Sequence, residues 1–107
     1  MQRFGKVIGL RPERADDYLR LHRAVWPGVL ERISASNIRN YSIYRSGALL
    51  FSYYEYAGSD HAADMARMAA DAETQRWWQL TAPCQRQLDG APAGEWWTPI
   101  DEVFHSD

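Results

Sequence analysis

The chain has 107 residues, of which 46% are hydrophobic and 13% aromatic, with five tryptophans and a formal net charge of -2. That length suits one domain, residues 1–107, around a single core, and the apolar content excludes a disordered chain. Acids and bases are interspersed with no basic run, which excludes an electrostatic footprint for nucleic acid and suits a neutral ligand.

The single cysteine, Cys84, has no partner for an internal disulfide, and His22, His61 and His105 are too scattered to form a metal-ligand signature. Arg3 and Lys6 are followed by no long apolar run, so neither a signal peptide nor a membrane span is expected. A reducing, cytoplasmic setting is the expectation.

Phe4 to Leu10, with Val7, Ile8 and Leu10, reads as a strand. Pro12 suits the first turn of a helix, and Glu13, Asp16 and Asp17 complement its dipole. That helix is expected to reach about Val25; Pro27 then disfavours helical geometry at Trp26, placing a kink before a second helical piece with Val29, Leu30 and Ile33. The β-branched and aromatic run Tyr41 to Arg45 favours a strand, Ser46-Gly47 a turn, and Leu49 to Tyr56 a strand running back as a hairpin. On the latter, Leu49, Phe51, Tyr53 and Glu55 alternate with Leu50, Ser52, Tyr54 and Tyr56, so both faces carry large apolar groups.

Gly58-Ser59-Asp60 ends that strand and offers a cap for a helix through Met65 and Met68. A further helical stretch carries Trp77, Trp78 and Leu80 and either ends near Pro83 or bends there and continues towards Leu88, Gly90 to Gly94 forms a loop, and Ile100 to Phe104 is expected as a closing strand. The order is βαββαβ, an α+β ferredoxin-like arrangement in which an antiparallel sheet carries its helices on one face. The bare sheet face would leave an apolar patch, and a symmetric homodimer packing sheet on sheet, a dimeric α/β barrel, is the simplest cover.

On a helix, Tyr18, His22 and Trp26 stack four apart along one face, combining aromatic surfaces with the side chain whose unperturbed pKa lies nearest neutrality. That line could wall a pocket that moves protons, or be a core stripe with a satisfied histidine. Adjacent Trp77 and Trp78 point about 100° apart on a helix, so both reach one pocket only at its edge; otherwise one packs the core and the other covers a seam. Trp96 and Trp97 follow the Gly94 loop and could close over the pocket or a partner subunit, although packing is the favoured reading, and His105 reads as a solvated or interface residue.

Four motifs in this order, Tyr18-x-x-x-His22-x-x-x-Trp26-Pro27, Asn40-Tyr41, Gln75-Arg76-Trp77-Trp78 and Glu102-Val-Phe-His105, resemble the L-rhamnose mutarotases. The resemblance spans nearly the whole chain. It implies a cofactor-free isomerase on a dimeric ferredoxin-like fold that interconverts the α and β anomers of a 6-deoxy-hexopyranose. It also implies that His22 is the proton donor and that Tyr18, Tyr41, Trp77 and Trp78 contact the sugar. The chemistry suits these residue types: mutarotation protonates the ring oxygen and removes the anomeric hydroxyl proton, which a group titrating near 6.5 can serve. A second proton carrier could be Tyr18, Tyr41, Glu55 or water. L-rhamnose is the first substrate expected and L-fucose its competitor; a cofactorless monooxygenase and a non-catalytic sugar-binding module are the alternative classes.

Overall fold

Strand β1 (Gln2–Leu10) lies inside an antiparallel sheet with β2 (Ile38–Ser46), β3 (Leu49–Tyr56), β4 (Gln85–Arg86) and β5 (Thr98–Ile100). The computed structural model describes residues Met1–Asp107, and its sheet runs in the order β2-β3-β1-β4, with β5 also on β1. The central pair joins Gln2–Gly9 to Leu49–Tyr56, and β2 and β3 are linked through Gly47-Ala48. Gly47, at φ 58, occupies the first loop position, where a two-residue hairpin favours glycine.

The outer edge of β1 is filled in two pieces. β4 pairs with Gly9 and Leu10, and β5 pairs with Gly5 to Val7. The closing strand expected over Ile100 to Phe104 therefore lies earlier in the chain and ends at Ile100. Beyond it the charged pair Asp101-Glu102 has little β preference, and the segment is tied to β1 by a side-chain contact, Arg3 Nε to Glu102 Oε1 at 2.7 Å, instead of a ladder.

Four α-helices cover one sheet face. A 3-10 turn at Pro12–Arg14 leads into α1 (Ala15–His22), and α2 (Pro27–Ala35) follows. α1 stops three residues before the expected Val25, because Trp26 precedes a proline and is held extended at φ -62, ψ 136. Pro27 then opens α2, where its missing N–H costs nothing. Asp60 caps α3 (His61–Ala70) by accepting from the Ala63 amide, and Asp71 caps α4 (Ala72–Thr81) through Thr74.

The alternation of β3 decides which face is covered. Leu50, Ser52, Tyr54 and Tyr56 are buried beneath the helices, whereas Leu49, Phe51, Tyr53 and Glu55 are only partly covered or exposed. The core divides into a cluster of Ile8, Leu10, Ala15, Tyr18, Leu50 and Cys84 and a second of Ile38, Tyr54 and Met68. Tyr18 thus anchors α1 in the core and also lines a cavity.

Candidate functional site

The last turn of α1 fixes the histidine. His22 Nδ1 lies 2.9 Å from the backbone carbonyl oxygen of Tyr18, and a carbonyl only accepts, so Nδ1 carries the hydrogen. Nε2 is then the nitrogen left for a ligand, a base when the ring is neutral and a donor when it is protonated. Tyr18 lies against the imidazole with ring centres 4.3 Å apart, and Trp77 meets it edge-on at 5.4 Å.

A bulge places Tyr41. Arg39 pairs with Glu55 and Ser42 with Tyr53, so Asn40 and Tyr41 together oppose Tyr54 alone. Asn40 takes the left-handed conformation at φ 50, which asparagine tolerates better than most residues, and its side-chain amide donates to Glu55 Oε1 at 2.6 Å. The extra residue turns the Tyr41 ring to the helix side, edge-on to Tyr54 at 5.7 Å.

On α4, Thr74, Trp77 and Thr81 face inward at helical spacing. Trp77 is 5% exposed and wedges between His22 and Trp26, the latter ring 5.3 Å away, whereas Trp78 is 41% exposed at the cavity rim. The chain between β4 and β5 folds back so that Trp96 and Trp97 complete the wall.

These elements enclose one open cavity of about 780 Å³, within the roughly 300–1,000 Å³ typical of small-molecule sites. Tyr18, His22, Tyr41, Trp77 and Trp78 all line it, so residues far apart in the chain come together there. Trp26 does not line it: with α1 ended at His22, Trp26 leaves the Tyr18–His22 face and packs behind Trp77. No Asp or Glu belongs to the lining. Glu55 sits on the opposite sheet face, where hydrogen bonds from Tyr53 and Asn40 hold its pKa below the usual carboxylate range, and His105 pairs with Asp107 away from the cavity.

Sequence reasoning missed Gln85 and favoured packing for Trp96 over the alternative that it closes over the pocket, which is where it lies. Gln85 is 5% exposed, and it links the two ends of the wall: Trp96 Nε1 donates to its Oε1 at 2.7 Å, and its Nε2 donates to the Tyr18 hydroxyl at 3.3 Å. Burial raises the Tyr18 pKa well above that of an ordinary phenol, so Tyr18 remains protonated at neutral pH. A buried glutamine on a two-residue strand leaves no periodic signal in the sequence.

A family model described as L-rhamnose mutarotase matches residues 3–106 of the chain. Among similar proteins, the L-rhamnose mutarotase of Oceanobacillus iheyensis is 28% identical, with 100% of both chains covered. That of Pectobacterium carotovorum is 31% identical, again covering 100% of both. The crystal structure of an L-rhamnose mutarotase from Formosa agariphila has a TM-score of 0.77 at 19% identity, covering 100% of both chains. Tetracenomycin F2 cyclase from Streptomyces glaucescens, a type-II polyketide cyclase, follows at 0.62 and 15% identity, covering 99% of this chain and 96% of the cyclase. These structures establish the ferredoxin-like α+β fold, which hosts more than one chemistry. The match of sequence family over residues 3–106 goes further than fold: the chain belongs to the L-rhamnose mutarotase family.

Proposed function

We propose that this chain interconverts the α and β anomers of L-rhamnose, with L-fucose as a competing substrate, by acid–base-assisted opening and closing of the pyranose ring. The observation that carries the reading is His22, whose Nδ1–H is held by the Tyr18 carbonyl while Nε2 is left to a cavity walled by aromatic rings. Protonated His22 gives the Nε2 proton to the ring oxygen as the bond from that oxygen to C1 breaks. The anomeric hydroxyl loses its proton as its oxygen becomes the aldehyde carbonyl. Rotation about C1–C2 presents the other carbonyl face, the former ring oxygen attacks it as its proton returns to Nε2, and the aldehyde oxygen takes a proton back to become the new anomeric hydroxyl. The hydroxyl proton passes to water or through a phenol, since no carboxylate lines the cavity.

Trp77, Trp78 and Tyr41 supply flat apolar surfaces for the C–H faces and the 6-methyl group, and the indole N–H and phenol O–H groups serve the hydroxyls. In this reading a second copy docks on the open sheet face around Leu49, Phe51 and Tyr53, forming a homodimer; sedimentation as a monomer at micromolar concentration would count against that assembly. The activity is tested by polarimetry on freshly dissolved crystalline L-rhamnose. Catalysis of the drift in rotation by the protein supports the reading, and a drift at the buffer rate refutes it.

A further inference from the structure

Gln85 is the only buried amide in the cavity wall, and its orientation is not free. Trp96 offers an indole N–H, which can donate but never accept, at 2.7 Å from the amide oxygen. The oxygen must therefore face Trp96, and the NH₂ must face Tyr18, whose hydroxyl oxygen lies 3.3 Å away. The mounting is rigid: Gln85 pairs with Leu10 in β4, and its carbonyl accepts from Arg11 Nε at 3.2 Å. Tyr18 is likewise fixed, its ring in the core and against His22.

With its oxygen receiving the Gln85 hydrogen, the Tyr18 hydroxyl makes no donor bond to any protein group. Its own hydrogen is left without a protein acceptor, and Tyr18 lines the cavity, where a ligand oxygen can supply one. We propose that Gln85, oriented by Trp96, is a positioning residue that locks Tyr18 as a hydrogen-bond donor to a sugar oxygen. This rests on the sugar reading above and refines it: Tyr18 is not the base that takes the anomeric hydroxyl proton. The raised Tyr18 pKa agrees, because a phenol kept protonated donates. A relay that polarises one phenol also favours a ligand presenting an acceptor oxygen beside His22, such as the ring or anomeric oxygen.

The test is the polarity of the amide. Gln85→Glu keeps the length of the side chain but, when ionised, accepts from both Trp96 and Tyr18, drawing the phenol hydrogen away from the sugar. The expected result at neutral pH is a loss of about tenfold in kcat/KM for L-rhamnose exchange, shrinking as pH falls and the introduced carboxyl gains a donor proton. Gln85→Met, which leaves the hydroxyl free to rotate, should lose less. Equal, pH-independent losses in the two variants, or wild-type rates in Gln85→Glu across the pH range, would overturn the relay. If Gln85→Glu does not fold, a double-mutant cycle decides: Trp96→Phe should impair the wild type yet add nothing in the Gln85→Met background, and full additivity would overturn the relay. The wild type is measured alongside. Exchange by wild type with an unaffected Gln85→Glu removes the relay alone, whereas a wild type that exchanges neither sugar removes the sugar reading with it.

Discussion

His22 donates its Nδ1–H to the backbone carbonyl of Tyr18, 2.9 Å away and one turn earlier in α1. One bond sets both the tautomer and the ring direction, so the backbone of the helix that carries the ring leaves Nε2 as the nitrogen available to a ligand. His22→Ala is expected to retain sugar binding and lose about a hundredfold or more in kcat, the range general acid–base groups contribute. Tryptophan fluorescence titration and exchange rates on the same sample separate the two effects.

The paired tryptophans should behave differently from each other. Trp77 is 5% exposed and touches His22 and Trp26, so Trp77→Ala opens a core cavity and should cost about 3–5 kcal/mol in chemical denaturation as well as activity. Trp78, at 41% exposure on the rim, should lose sugar affinity on replacement by alanine while the denaturation midpoint moves little.

Asn40 at φ 50 holds the bulge that aims Tyr41. Asn40→Val forces a β-branched residue into the left-handed region and should destabilise the protein by about 1–2 kcal/mol and raise KM, whereas Asn40→Gly keeps the conformation and should hold KM near wild type. Denaturation curves and KM for both variants check this.

Most of the architecture is legible in the sequence because its signals are local. Asp60 after Gly58-Ser59 caps α3 as expected, Pro27 breaks the helix at Trp26, and the alternation along Leu49–Tyr56 separates a covered face from an open one. The last strand is harder to read: its two fragments form only where β1 offers an edge, and that pairing spans most of the chain. For the same reason Gln85 leaves no mark in the sequence as a wall residue, and the place of Trp96 beside it depends on the loop between β4 and β5 folding back. Glu55 looked eligible as a proton carrier by type alone, and only the parity of β3 places it on the far face. Glu55→Gln, which keeps an acceptor for Asn40, should accordingly leave exchange at the wild-type rate in the polarimetric assay.

Asp64 should control the acid limb of stability. It is 7% exposed and accepts from Tyr56 and Asn37, with Arg67 Nη1 2.8 Å away, and these partners hold its pKa below the ordinary value. A depressed folded-state pKa means the unfolded chain binds the proton more readily. The stabilisation is therefore complete above the unfolded carboxyl pKa, about 3.9, and is lost as pH falls through the lower folded value. Thermal melting should show Asp64→Asn less stable than wild type at neutral pH, with the gap narrowing below about pH 4.

The proposed role of His22 is to exchange sugar anomers inside this aromatic cavity. Its most direct test is saturation-transfer proton NMR at equilibrium, irradiating one anomeric proton of L-rhamnose and reading the other, with wild type and with folded His22→Ala. Transfer is expected with the wild-type protein and should nearly vanish in His22→Ala. Transfer that is absent with wild type, or undiminished in His22→Ala, would contradict it.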